Sequence, residues 1–287
     1  MQFATTEIMR KVFNGGIYTC MDWIAGLVLG VVQGVAEWLP ISSKTQVMFA
    51  SMWLLGLDPG VAYSLGLFLE AASVLAALIY FRHIYATALR GFLGHPEGRR
   101  WLAYFVMTTA VTGAVGVPLY VAVRKSMPAG AAGWLMAALG VAVMLNAFLL
   151  SRAKRAAGLK DFREITLRDM ALVGLAQAIA VLPGVSRSGA TTTTLLLLGY
   201  KPEEAFKASF ALVPIAGLGA AVLSYAAEGG AVATATAALA MAVGVAVSLA
   251  TIEALLRFAK SGRAALVNAV VGLIAVAGGL AALIRPV

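Results

Sequence analysis

Between Leu182 and Thr194 the chain reads L-P-G-V-S-R-S-G-A-T-T-T-T, which sets an arginine, two serines, a threonine run and two glycines inside an apolar segment from about Met170 to Leu198. An arginine at that depth is costly enough to mark a functional site, and it calls for an anionic partner. Pro183 and Gly184 break any helix, and Gly189 permits close backbone approach. The hydroxyls of Ser186, Ser188 and Thr191, with the free N–H groups of a helix restarting there, form a cradle for oxyanions. That is phosphate chemistry. Taken as structure alone, the stretch would be a kinked transmembrane helix whose hydroxyls bond back to its own backbone, which leaves Arg187 without a reason.

A second polar stretch lies earlier, where Trp23 to Leu55 carries Gln33, Glu37, Pro40, Ser42, Ser43, Lys44, Thr45 and Gln46 between apolar flanks. Gln33 and Glu37 are four apart and project from one helical face; Pro40 ends or kinks that helix before the turn I-S-S-K-T-Q. A carboxylate is thereby aimed at a hydroxyl-rich loop, although Glu37 could instead be salt-bridged to Lys44. The two stretches repeat each other. P-I-S-S-K-T (Pro40 to Thr45) and P-G-V-S-R-S (Pro183 to Ser188) both run proline, two residues, serine, cation, hydroxyl, and Gly30-Val31-Val32-Gln33 and Gly174-Leu175-Ala176-Gln177 precede them.

The elements that must position these residues are transmembrane helices. With 61% hydrophobic and 12% charged residues over 287, and a mean hydropathy of +0.89, the chain is too apolar for a soluble domain. Its net charge of +9 reflects cations in short loops, not nucleic-acid binding. One cysteine, Cys20, excludes an internal disulfide, and His83 and His95 belong to a basic loop. Residues 1–22 are too weakly apolar for a cleaved signal peptide and are expected to form an interfacial extension, with residues 23–287 as one membrane domain.

Six apolar runs approach the ~20 residues that a bilayer core requires: 63–81, 103–123, 131–150, 206–227, 231–256 and 264–284. The loops 82–100 and 151–169, and Arg257, Lys260 and Arg263, hold most of the cations and are therefore cytoplasmic. This asymmetry survives only if the two polar stretches, about 23–55 and 170–199, each re-enter and leave on the side they came from. The expected fold is all-α: six transmembrane helices plus two re-entrant helix-loop-helix hairpins in an inverted-topology repeat. Glu37, Ser43, Lys44 and Arg187 should then converge on one pocket. Glu70, a carboxylate inside an apolar span, either faces that pocket or pairs with a neighbouring cation.

Q-G-V-A-E-W-L-P-I-S-S (Gln33 to Ser43) with P-G-V-S-R-S-G-A-T (Pro183 to Thr191) resembles the paired signature of the undecaprenyl pyrophosphate phosphatases of the bacitracin-resistance type, a likeness that runs from about Leu27 to the C-terminus. The resemblance implies a multi-pass plasma-membrane hydrolase. It would convert a polyprenyl diphosphate to the monophosphate lipid carrier used in envelope synthesis, at a site open to the outer face and with a divalent cation, Mg²⁺ or alternatively Ca²⁺. The partners it implies are the diphosphate lipid and membrane lipids, with a homodimer as a compatible assembly. Where the family usually shows histidine, three residues after the second serine of its S-S pair, this chain has Gln46, and glutamine can neither shuttle a proton nor attack phosphorus.

On that basis Arg187 is a bidentate clamp on the diphosphate, aided by Ser186, Ser188 and Thr191 beside Gly184, with Gln33, Ser42 and Gln46 as further substrate contacts. Ser43 is the candidate nucleophile, and a metal-held water is the variant. Glu37 is general base or, with Glu70, metal ligand, and Lys44 stabilises charge on the transferring phosphoryl group. A rival of another class is a flippase for polyprenyl phosphate, since inverted repeats with broken helices also build carriers, and the missing histidine favours it.

Overall fold

The computed structural model describes residues 20–126, 132–155, 157–260 and 263–284, and among them the regular structure is helical apart from an isolated bridge between Lys160 and Tyr200. The expected interfacial extension lies outside the described residues as far as Thr19, and Cys20 to Asp22 already open the first helix. Five helical runs are long and apolar enough to cross a membrane: Pro59–Tyr80, Pro96–Ser126, Trp134–Arg155, Pro202–Ala231 and Ala235–Phe258. They correspond to five of the six apolar runs read from the sequence. The sixth run coincides with a 22-residue helix, Arg263–Ile284.

The chain opens with α1 (Cys20–Ala36) and α2 (Ser43–Leu55), separated by the turn that holds Glu37 and Pro40. Helix α1 ends at Ala36, four residues before Pro40, because the turn is already tightened by the amide of Leu39 bonding Ala36 O. Next come α3 (Pro59–Leu69), whose start is capped by Asp58 Oδ1 on the Gly60 amide with Pro59 in the first turn, and α4 (Ala71–Tyr80). Glu70 sits at the joint between them. Helix α5 (Arg82–Arg90) leads to the long α6 (Pro96–Ser126) and α7 (Ala132–Arg155).

The second half repeats this order. Helices α8 (Leu167–Ile179) and α9 (Arg187–Leu197) flank the L-P-G-V-S turn. The broken pair α10 (Pro202–Phe210) and α11 (Val213–Glu228) follows, then α12 (Ala235–Lys260) and α13 (Arg263–Ile284). Pro214 explains the second break, since it has no N–H to continue the preceding helix and suits the first turn of a new one.

Packing carries the same symmetry. Helix α1 runs parallel to α12, with Gly26, Gly30 and Gly34 set against Leu239, Val243 and Val247. Its counterpart α8 runs parallel to α6, with Gly174 against Val111 and Ala178 against Gly116. The counterparts α7 and α13 pack antiparallel on each other, Gly140 against Val276 and Gly272 against Met144. Small residues let these backbones approach closely, as helix association in an apolar medium requires.

Each hairpin returns to the end from which it came. Leu55 at the end of the far arm of the first, and Leu57 just past it, share a cluster with Val232 and Ala237, and Gly26 near the start of α1 faces Thr236. Arg124 bonds Glu228 at 2.9 Å at this same end. In the second hairpin the amide of Lys160 bonds Gly199 O at 3.0 Å and Tyr200 OH bonds Asp169 at 2.7 Å, so both arms meet at the opposite end. There Phe162 is stacked on Trp101 at 3.9 Å, pinning the loop to α6.

Candidate active site

Two helix starts meet where the hairpin tips touch. Helix α2 begins after Ser42, which among the described residues is the one non-glycine at positive φ, 62°. Its hydroxyl turns to Thr45 Oγ1 (2.8 Å) and Val185 O (3.3 Å) and so does not cap the helix. Helix α9 begins after Ser186, whose Oγ accepts the Gly189 amide at 3.1 Å. Both starts border one small cavity of about 10 Å³ lined by Glu37, Ser42, Ser43, Lys44, Glu70, Ser186, Arg187 and Ser188. Two positive helix ends, two cations and four serines on one void make an anion site, with each tip supplying half.

The polar contacts within it form a chain. Glu37 Oε1 accepts an ion-paired hydrogen bond from Arg187 Nη2. Glu37 Oε2 accepts from Ser43 Oγ at 2.6 Å and from Gln33 Nε2 at 2.9 Å. Arg187, 8% exposed, has its Nε–H unpartnered, and Nη1 makes a long 3.5 Å contact to Ser209 O, so the guanidinium keeps donors for a bound oxyanion. Glu37 pairs with Arg187 and not with Lys44. Lys44 Nζ instead crosses to the second tip and donates to Ala180 O (2.5 Å) and Val185 O (2.7 Å).

Other residues singled out from the sequence stand further off. Gln33 lies one turn before Glu37 and also donates to Ser73 Oγ at 3.3 Å, behind the cavity wall. Gln46 Nε2 donates to Ile41 O at 3.0 Å, closing the turn that carries Ser42. Thr191 Oγ1 bonds Arg187 O (2.8 Å) and Ser209 Oγ (2.6 Å) and so braces the start of α9 from behind. Gly184, at φ +84°, donates its amide to Thr45 Oγ1 at 2.8 Å; a Cβ there would lie 2.6 Å from Ala142 Cβ.

A larger cavity of about 160 Å³ adjoins this one, sharing Glu70 and Arg187 with it. Apart from these and Gln177, Thr109 and Thr112, its walls are apolar, including Leu67, Val117, Val181, Ile215 and Leu223. Glu70 thus stands between a polar and an apolar chamber, and its carboxylate accepts no hydrogen bond among the described residues.

For a divalent ion the donors are few. Both oxygens of Glu37 are already engaged, and among the described residues no three His, Cys, Asp or Glu side chains converge. The residues present do not fit a resident divalent ion.

Several contributors carry no signal that spacing alone reveals. Ser73 and Ser209 look like ordinary small residues in apolar helices, yet both bond site residues. Asn146 donates Nδ2 to Pro40 O at 2.9 Å and steadies the first tip; as a lone amide in an apolar run it was open to notice.

A family model described as bacitracin resistance protein BacA matches residues 26–277. Over 261 residues the chain is 66% identical to the undecaprenyl-diphosphatase of Pyrobaculum islandicum, covering 91% of this chain and 97% of that relative. The undecaprenyl-diphosphatase of Pyrobaculum aerophilum is 65% identical over 261 residues (91% and 98%), and that of Saccharolobus solfataricus 41% over 271 residues (90% and 95%).

Proposed function

The chain belongs to the bacitracin resistance protein BacA family, and from that membership and the site geometry we propose that it is an undecaprenyl-diphosphatase, a membrane hydrolase that converts a polyprenyl diphosphate to the monophosphate and inorganic phosphate. The observation that carries the mechanism is the chain Ser43–Glu37–Arg187. Ser43 Oγ already donates to a carboxylate, 2.6 Å away, that is fixed from its other side by the guanidinium.

Ser43 Oγ attacks the terminal phosphorus and its proton passes to Glu37 Oε2. The anhydride P–O bond breaks, and its electron pair leaves with the polyprenyl monophosphate. That proton leaves Glu37 with the departing monophosphate, so the carboxylate is free when water attacks the phosphoserine. It takes the water's proton and returns it to Ser43 Oγ as the O–P bond breaks and inorganic phosphate departs. The free donors of Arg187, the hydroxyls of Ser42, Ser186 and Ser188 and the two helix starts hold the phosphoryl oxygens. No step is routed through a metal. The isoprenoid occupies the larger cavity, whose apolar walls begin where the charged site ends.

In the membrane, α13 completes a set of six spans with the five apolar runs, and the two hairpins dip in from opposite faces to the midplane as an inverted repeat. This reading is supported by the return of each hairpin to its own end and by the parallel α1/α12 and α6/α8 pairs. Broken backbone is accommodated there because protein buries it. The larger cavity lies toward the Arg124–Glu228 end, which the charge asymmetry places outside a plasma membrane.

Purified protein given a long-chain polyprenyl diphosphate should release inorganic phosphate. Ser43→Ala should release none while still binding the lipid, because the hydroxyl is the nucleophile. A Ser43→Ala protein that keeps substantial activity would transfer the attack to water. Absence of release by the wild type, together with lipid exchange between leaflets, would favour a carrier.

A further inference from the structure

Lys44 and Arg187 are counterparts in the repeated pattern of proline, two residues, serine and cation, and the structure shows each reaching across to the opposite tip. Arg187 from the second tip takes the carboxylate of Glu37 in the first. Lys44 from the first takes two carbonyls of the second, Ala180 O at the C-terminal end of α8 and Val185 O just before α9. Carbonyls that end a helix carry the negative pole of its dipole and are natural cation ligands.

Lys44 also lines the small cavity together with both carboxylates of the site. At 3% exposure it is held away from solvent. Two backbone carbonyls closing on one positive charge, with two carboxylates lining the same void, are hard-oxygen surroundings of the kind in which Mg²⁺ or Ca²⁺ is bound. Here a tethered charge is already present. The two oxygens of Glu37 are spent on Arg187, Ser43 and Gln33.

We propose that the Lys44 ammonium, held by Ala180 O and Val185 O beside Glu37 and Glu70, is a built-in counter-cation that takes the place of a divalent ion, so that this chain hydrolyses its substrate without added metal. The inference rests on the phosphatase reading, and it differs from that reading in what would defeat it. Substrate phosphates that would otherwise need a bridging ion are neutralised by a fixed ammonium and a fixed guanidinium. Chelators cannot remove either. Removing the ammonium while keeping side-chain length leaves the Ala180 and Val185 carbonyls without a cation beside Glu70, and that vacancy should accept one.

The test uses the full-length protein in detergent, freed of metal with EDTA. Mn²⁺ binding to the substrate-free protein is followed by electron paramagnetic resonance, and phosphate release from a polyprenyl diphosphate is measured with EDTA and with Mg²⁺. The wild type should bind no Mn²⁺ tightly and should release phosphate at the same rate in both conditions. Lys44→Met should bind one Mn²⁺, should lose on the order of 10²-fold in rate with EDTA, and should regain most of it with Mg²⁺. Tight Mn²⁺ binding by the wild type, or a wild-type rate that collapses with EDTA and returns with Mg²⁺, would overturn the inference and leave the phosphatase reading standing. These wild-type measurements decide the matter even if Lys44→Met fails to fold. Absence of release under every condition would overturn both.

Discussion

Arg187 answers to two demands, and its substitutions separate them. It neutralises buried Glu37 through Nη2, while Nε–H and the loosely held Nη1 remain for an oxyanion. Arg187→Ala would strand a buried carboxylate, so loss of activity could follow from loss of folding. Arg187→Lys keeps the charge beside Glu37 but not the planar fork, and an ammonium cannot bond carboxylate and phosphate in that geometry together. Its kcat should fall by ~10²-fold or more with folding retained, measured as phosphate release alongside a thermal melt. A rate near wild type would make Arg187 a structural cation only. At this scale the sequence was informative about types and less so about partners. Buried Arg187 and Glu37 were legible because charge in an apolar segment is expensive, but which cation paired with Glu37 was not. Lys44 and Arg187 are equivalent in the repeat, and the choice between them depends on how the tips cross. Gln46 and Thr191 share the polar character of the cavity residues, yet each serves the backbone of its own turn. Hydroxyls and amides bond either way, so composition alone cannot assign them.

The helices were legible to different degrees for physical reasons. Long apolar runs announced α6, α7, α12 and α13 because a bilayer core demands that length. Pro183, Gly184 and the polar set around Pro40 announced the hairpins. The joint at Glu70 gave no such sign: both flanks are apolar, no proline or glycine adjoins it, and the amide of Glu70 still bonds Leu67 O. Its counterpart at residues 211–212 had Pro214 to mark it. The glycine stripe on α1 became meaningful only with α12 beside it. A Cβ on Gly30 would lie 2.6 Å from both Ala240 O and Val243 Cβ, and the first of these is backbone that cannot rotate aside. Gly30→Ala should therefore force the helices apart and cost about 1–3 kcal/mol, read from thermal unfolding in detergent. Gly113→Ala, with nothing within 4 Å of its Cβ, supplies the comparison and should not destabilise. Equal melting of the two variants would mean that α1 and α12 do not pack through this stripe.

At the scale of the whole molecule, the proposed function depends on direction: in that reading the hairpins enter from opposite faces so that their tips meet, and the substrate cavity opens on one face only. Charge placed in the loops is the argument for this proposed arrangement, because cationic loops stay in the cytoplasm and only a returning hairpin keeps them there. The structure gives the two ends distinct marks. Gly229–Ala231 forms a turn beside the Arg124–Glu228 ion pair at one end, and Leu159 and Phe92 project from the loops at the other, 85% and 72% exposed. Replacing Cys20 by alanine removes the one native thiol, after which single cysteines report orientation without interference. Gly230→Cys suits this purpose, since the position is exposed and its new side chain meets nothing within 4 Å. An impermeant maleimide applied to intact cells should label Gly230→Cys at once and should label Leu159→Cys only after the membrane is opened. The same reagent should reach Phe92→Cys only after opening, because the 82–100 loop shares the basic side. The reverse pattern would invert the protein and turn its cavity toward the cytoplasm. Labelling of all three from outside would instead mean that the hairpins cross the bilayer and do not return, and the pairing of tips that builds the site would then need another explanation.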